Sequence, residues 1–111
     1  MENEHNNNLI NSSSIESIQE IELYLVESSK LMESINSAIQ YRHAETAFDC
    51  LESLTTSSKE IGATVFAQLC SQIAFCLKEY RWPETLLLLK QLNSWYDNLV
   101  SELQKILLKR S

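Results

Sequence analysis

The sequence predicts an all-α fold, an antiparallel up-and-down four-helix bundle, and three observations carry that prediction. Apolar residues recur with the helical period of 3.6 in four successive segments. The 111 residues hold one glycine and one proline, too little turn chemistry for a β architecture. The connections between the segments are short, which favours antiparallel neighbours packed face to face. At this length the chain is one domain, and its 44% apolar residues are enough for a single core.

Residues 1–12 are polar and Asn-rich without periodicity and read as a flexible tail, in which His5 is simply solvated; residues 13–111 form the domain. Ser13 and Glu16 have capping-box spacing at the start of the first helix. Ile18, Ile21, Leu25, Met32, Ile35 and Ile39 fall on one face of that helix, which is about 25 residues and nearly 40 Å long. Ser28 and Ser29 interrupt its stripe, leaving open whether the helix bends there or breaks into two.

After a polar break at Gln40–His43, a second helix over about Ala44–Glu60 puts Ala44, Ala47, Phe48, Leu51, Leu54 and Ser58 inside. At about 100° per residue its outer stripe is Glu45, Asp49, Glu52, Thr56 and Lys59. Gly62 ends the pattern. A third helix to about Tyr80 buries Phe66, Leu69, Cys70, Ile73, Cys76, Leu77 and Tyr80. Pro83 suits the first position of a fourth helix, where its missing N–H costs nothing, and Trp82 reads as a staple over the bundle end. The last stripe is Leu88, Leu89, Leu92, Trp95, Tyr96, Leu99, Leu103, Ile106 and Leu107, and Lys105, Lys109 and Arg110 complement the helix dipole. Leu86–Leu89 is an apolar run whose outward member is a candidate contact residue.

The formal charge of −6 argues against nucleic acid and against anionic membrane surfaces, both of which need lysine and arginine. No apolar run approaches the roughly 20 residues of a membrane span, and no secretory signal opens the chain. Cys50, Cys70 and Cys76 are odd in number and match no metal-ligand spacing, so they read as small buried residues in a reducing compartment. The expectation is a cytoplasmic monomer with no cofactor and no metal. No Gly-rich phosphate loop and no His/carboxylate cluster points to an enzyme.

Function is sought in Cys50–Thr64, where Glu52-Ser53-Leu54-Thr55-Thr56-Ser57-Ser58 is followed by Lys59-Glu60 and Ile61-Gly62-Ala63. This stretch resembles the active-site stretch of histidine-phosphotransfer domains, His-x-Leu-Lys-Gly-Ser-Ser followed by an apolar residue and glycine. Leu54, Ser57, Ser58, Ile61 and Gly62 fall in the family's places, and Phe66, Ala67, Leu69, Cys70 and Ile73 resemble its next helix. As motif the resemblance covers about 22 residues. Glu52 stands in the place of histidine, Thr55 of lysine and Thr56 of glycine. A carboxylate cannot carry a phosphoramidate, and loss of the lysine removes the cation that stabilises a transferring phosphoryl group.

The resemblance therefore implies a degenerate, noncatalytic member. It would bind a response-regulator receiver domain or a histidine kinase and modulate a phosphorelay. Its expected contact residues are Glu45, Asp49, Glu52, Ser53, Thr55, Thr56 and Lys59. Glu52 either faces the receiver's acidic pocket or its metal, in imitation of a phosphorylated state, or is merely solvated on an exposed stripe. Lys59 either replaces the lost cation or pairs loosely on the surface. Two alternatives remain open: a true phosphoryl carrier using His43, and a helical scaffold or oligomerisation bundle with no link to phosphorelays.

Overall fold

The computed structural model describes residues 10–110. They form four helices: α1 Ile18–Gln40, α2 Ala44–Glu60, α3 Thr64–Lys78 and α4 Trp82–Arg110. Each helix packs on its chain neighbours, and α4 closes back onto α1, which completes the four-helix bundle. The core is one continuous cluster centred on Ile21, Ile35, Ile39, Leu51, Leu54, Phe66, Ile73, Leu92, Leu99 and Leu103.

Three turns of one design join the helices. Arg42, Gly62 and Tyr80 each adopt positive φ, at 61°, 86° and 54°. In each turn the following N–H reaches back to the helix just ended: His43 to Ala38 O, Ala63 to Ser58 O, and Arg81 to Cys76 O. These are Schellman closures, which satisfy carbonyls that a helix end otherwise leaves without partners. The same carboxy-terminal residue then opens the next helix, since His43, Ala63 and Arg81 accept from Ala47, Ala67 and Thr85. A three-residue connection of this kind leaves no slack, so the helix order around the bundle follows the chain. Arg42 also lays its guanidinium 4.9 Å from the Trp82 ring centroid, linking the α1–α2 turn to the start of α4.

Several expectations shift in the structure. The helix cap lies four residues later than expected: Ser17 Oγ accepts from the Glu20 N–H at 3.2 Å, and the Glu20 carboxylate takes the N–H of Glu16, the residue before the cap, at 2.8 Å. Ser13 belongs instead to a short 3-10 turn, Ser12–Ser14, capped by Asn11. Of the stretch read as a tail, residues 1–9, His5 among them, lie outside the described residues, whereas Ile10, Asn11 and Ser12 are placed. Ile10 is buried, and the Asn11 N–H donates to Gly62 O at 2.9 Å. Arg110 closes this contact from α4 by donating to Ile15 O and Ser12 O.

Helix α1 runs unbroken through Ser28 and Ser29. Ser28 is fully buried, and its hydroxyl lies 2.8 Å from the Tyr96 hydroxyl, so the polar interruption is a bond to α4 and not a bend. Tyr24, which the stripe omitted, is buried one turn earlier and meets Ser58. Farther along the same seam, the side-chain amides of Asn36 and Asn93 exchange two hydrogen bonds, at 3.0 and 2.9 Å. Tyr80, expected in the core, is 74% exposed because α3 ends at Lys78 and Tyr80 supplies the left-handed turn residue. Cys70 and Cys76 are buried as expected, but Cys50 is only half-buried. Trp82 is already helical, which makes Pro83 the second residue of α4.

Candidate functional site

Helix α2 presents the candidate site because its apolar residues occupy only one face. Ala47, Leu51, Leu54 and Ser58 are buried, and this fixes the rotation of the helix about its axis. Glu45, Asp49, Glu52, Thr56 and Lys59 consequently line the opposite side, all exposed, with Ser53 beside them and also exposed. Thr55 is half-buried at the edge of this stripe. The structure thus brings the expected contact residues onto one surface, about 20 Å long at 1.5 Å per residue.

The hydroxyls of the motif are turned inward on their own helix. Thr55 donates to Leu51 O at 2.7 Å, Thr56 to Glu52 O at 3.2 Å, and Ser57 to Ser53 O at 3.2 Å. Each hydroxyl proton is committed to the carbonyl one turn back, so none is available to a neighbour without rotation. Ser58 differs from these three. It is buried, and its Oγ lies 2.7 Å from the Tyr24 hydroxyl, which removes it from any docking surface.

Neither Cys50, on the same helix as the stripe, nor Cys70, in the core, is set up as a nucleophile. Burial, and then the adjacent Asp49 carboxylate, push the Cys50 thiol above its ordinary range. Burial pushes Cys70 up to about 12. Both stay protonated near neutrality, and the protonated thiol is the unreactive form. Among the described residues no group of three or more His, Cys, Asp or Glu side chains is placed to hold a metal. No described helix is long and apolar enough to cross a membrane.

His43 stands apart from this surface. It precedes α2 as the cap residue, is exposed, and makes no side-chain capping bond. Nine residues separate it from Glu52, about 13 Å along the axis, so the two side chains do not share a site. His43 borders a shallow hollow with Glu33, Ser34, Ser37, Ala38 and Thr46. A second hollow, of about 500 Å³, adjoins the amino-terminal end of the stripe and is lined by Ala44, Glu45, Phe48, Leu77, Lys78 and Tyr80. Phe48, expected on the inner face of α2, is only half-buried and lines this hollow. Leu77, Lys78 and the turn residue Tyr80, where α3 ends, line it together with Phe48.

Chemically, the arrangement offers an exposed row of carboxylates with hydroxyls between them, an apolar hollow at one end and a lysine at the other. It can present negative charge and hydrogen-bond acceptors to a partner. Compared with known proteins, the chain matches no family model, no curated protein and no solved structure.

Proposed function

We propose that this chain is a noncatalytic interaction module that docks a response-regulator receiver domain, or a histidine kinase, across α2 and thereby modulates a phosphorelay. One observation carries the reading: in a four-helix bundle, an exposed carboxylate, Glu52, occupies the position where the motif it resembles carries histidine. Glu52 and the stripe around it are accessible along the whole of α2, as a docking face requires. The committed hydroxyls of Thr55 and Thr56 and the absence of histidine from the stripe favour binding without transfer. The Phe48 hollow supplies the apolar contact that a carboxylate row alone lacks.

The test is binding of purified receiver domains to the full chain, compared with Glu52→Ala, Thr56→Arg and Lys59→Glu. The reading expects at least one receiver to bind and these substitutions to weaken it tenfold or more. Incubation with a phosphorylated receiver, in parallel with His43→Ala, separates this from a carrier. Label that appears on the chain and disappears in His43→Ala would assign the activity to His43 and overturn the docking-only reading.

A further inference from the structure

The carboxylates are unevenly distributed over the bundle. Between Glu16 and Glu60 there are nine Asp and Glu against Lys30, Arg42 and Lys59. From Ile61 to Arg110 four carboxylates meet six lysines and arginines. Because α1 and α2 pack side by side, the excess belongs to one half of the molecule.

A cleft of about 130 Å³ opens in this half, where α1 meets the carboxy-terminal end of α2. Leu23, Tyr24 and Ile61 form its apolar floor, and Glu20, Glu27, Ser57 and Glu60 form its rim. Leu23 is 59% exposed. Glu20 is engaged by the Glu16 N–H, but among the described residues neither the Glu27 nor the Glu60 side chain has a hydrogen-bond or ion-pair partner. The cleft therefore sets one exposed leucine, over the buried Tyr24 and Ile61, beside carboxylates that no described side chain pairs with.

We infer that this cleft receives a lysine- or arginine-bearing segment of a partner protein. The methylene stem of one basic side chain lies along Leu23, and its cationic head sits between Glu27 and Glu60. Long basic side chains divide in this way, stem on apolar surface and head among acceptors. Complementary charge directs such a segment to this half of the bundle in preference to the other. An anionic partner segment would meet repulsion here, and an uncharged apolar one would bury Glu27 and Glu60 without compensation. Residues 1–9 carry Glu2 and Glu4 and no lysine or arginine, so they are a poor electrostatic match. The cleft shares no residue with the Glu45–Lys59 stripe, and the inference does not depend on receiver docking.

The test is a titration of the full ¹⁵N-labelled chain with an acetylated, amidated Leu-Arg-Leu-Arg-Leu peptide, using Leu-Glu-Leu-Glu-Leu as control. The arginine peptide is expected to shift the amides of Leu23, Glu27, Ser57 and Ile61 saturably, and the glutamate peptide to leave them in place. Combining Glu27→Gln with Glu60→Gln should weaken binding tenfold or more and flatten its salt dependence. Leu23→Ser should weaken it several-fold while keeping that dependence; these three side chains are exposed and none belongs to the buried core. Glu52→Gln should change nothing, which keeps this outcome separate from that of the receiver experiment. The inference is overturned if no saturable shift occurs, if shifts spread equally to Glu79 and Glu84, or if the double variant binds like the parent chain. Cleft amides that move with protein concentration alone would assign the cleft to a second copy and overturn it equally.

Discussion

The hydroxyls of Tyr24 and Ser58 meet 2.7 Å apart in the core, tying the amino-terminal third of α1 to the end of α2. Both side chains are buried, so each is the other's answer to the cost of leaving water. Tyr24→Phe leaves the Ser58 hydroxyl without this partner and is expected to cost about 1–2 kcal/mol, as is any change that strands a buried polar group. Adding Ser58→Ala should recover part of that loss, because no polar atom is then stranded. Urea unfolding of the two single variants and the double variant measures the coupling, expected at about 1 kcal/mol. Additive losses would show that the two hydroxyls do not act as a pair.

Burial drives the Tyr24 phenol well above its ordinary value of 10, although the Ser58 bond opposes the shift. Below that value neither the folded nor the unfolded chain ionises Tyr24, and its contribution to stability is complete. Above it the unfolded chain releases the proton and the folded chain does not, so stability falls by up to about 1.4 kcal/mol per pH unit. Cys70 behaves alike from its ordinary value of 9, because burial holds the folded thiol near 12. Unfolding free energies measured from pH 8 to 11 should decline, and decline less steeply above pH 10 in Tyr24→Phe. An unchanged slope in that variant would place the alkaline sensitivity elsewhere.

The three interhelical turns predict opposite outcomes for substitutions at equivalent positions. At Gly62, with φ at +86°, an added Cβ would come within 2.8 Å of Asn11 O and 2.9 Å of Ser14. Gly62→Ala therefore combines backbone strain with displacement of the Ile10–Ile15 segment, an expected loss of about 2 kcal/mol or more. At Tyr80, with φ at +54° and the side chain exposed, glycine relieves strain and removes no core contact. Tyr80→Gly is expected to gain about 0.5–1 kcal/mol, the difference between left-handed strain and the greater freedom of glycine when unfolded. Thermal unfolding of both variants gives the two signs.

The four helices were legible because their stripes are long and regular and because Gly62 and Pro83 punctuate them. The bounds of α2 are those its pattern gives, Ala44–Glu60, and this fixed which residues face outward. The turns at Arg42 and Tyr80 were hidden because neither residue type favours left-handed backbone; closure of the preceding helix imposes that conformation. Tyr24 was overlooked although its spacing from Ile21 and Ser28, three and four residues, fits the helical period. Ser28 looked like an interruption because its partner, Tyr96, lies 68 residues away. The acidic cleft left no local signal either. Leu23 belongs to no stripe, and only the meeting of α1 with α2 places it beside Ile61 and Glu60.

Glu52 is the position on which the functional account turns, so receiver binding measured by calorimetry on the full chain and on Glu52→Ala tests it most directly. The account predicts a receiver that binds the parent chain, binds the variant at least tenfold more weakly, and transfers no phosphate to either. A parent chain and a variant that bind every receiver equally, or not at all, would contradict it.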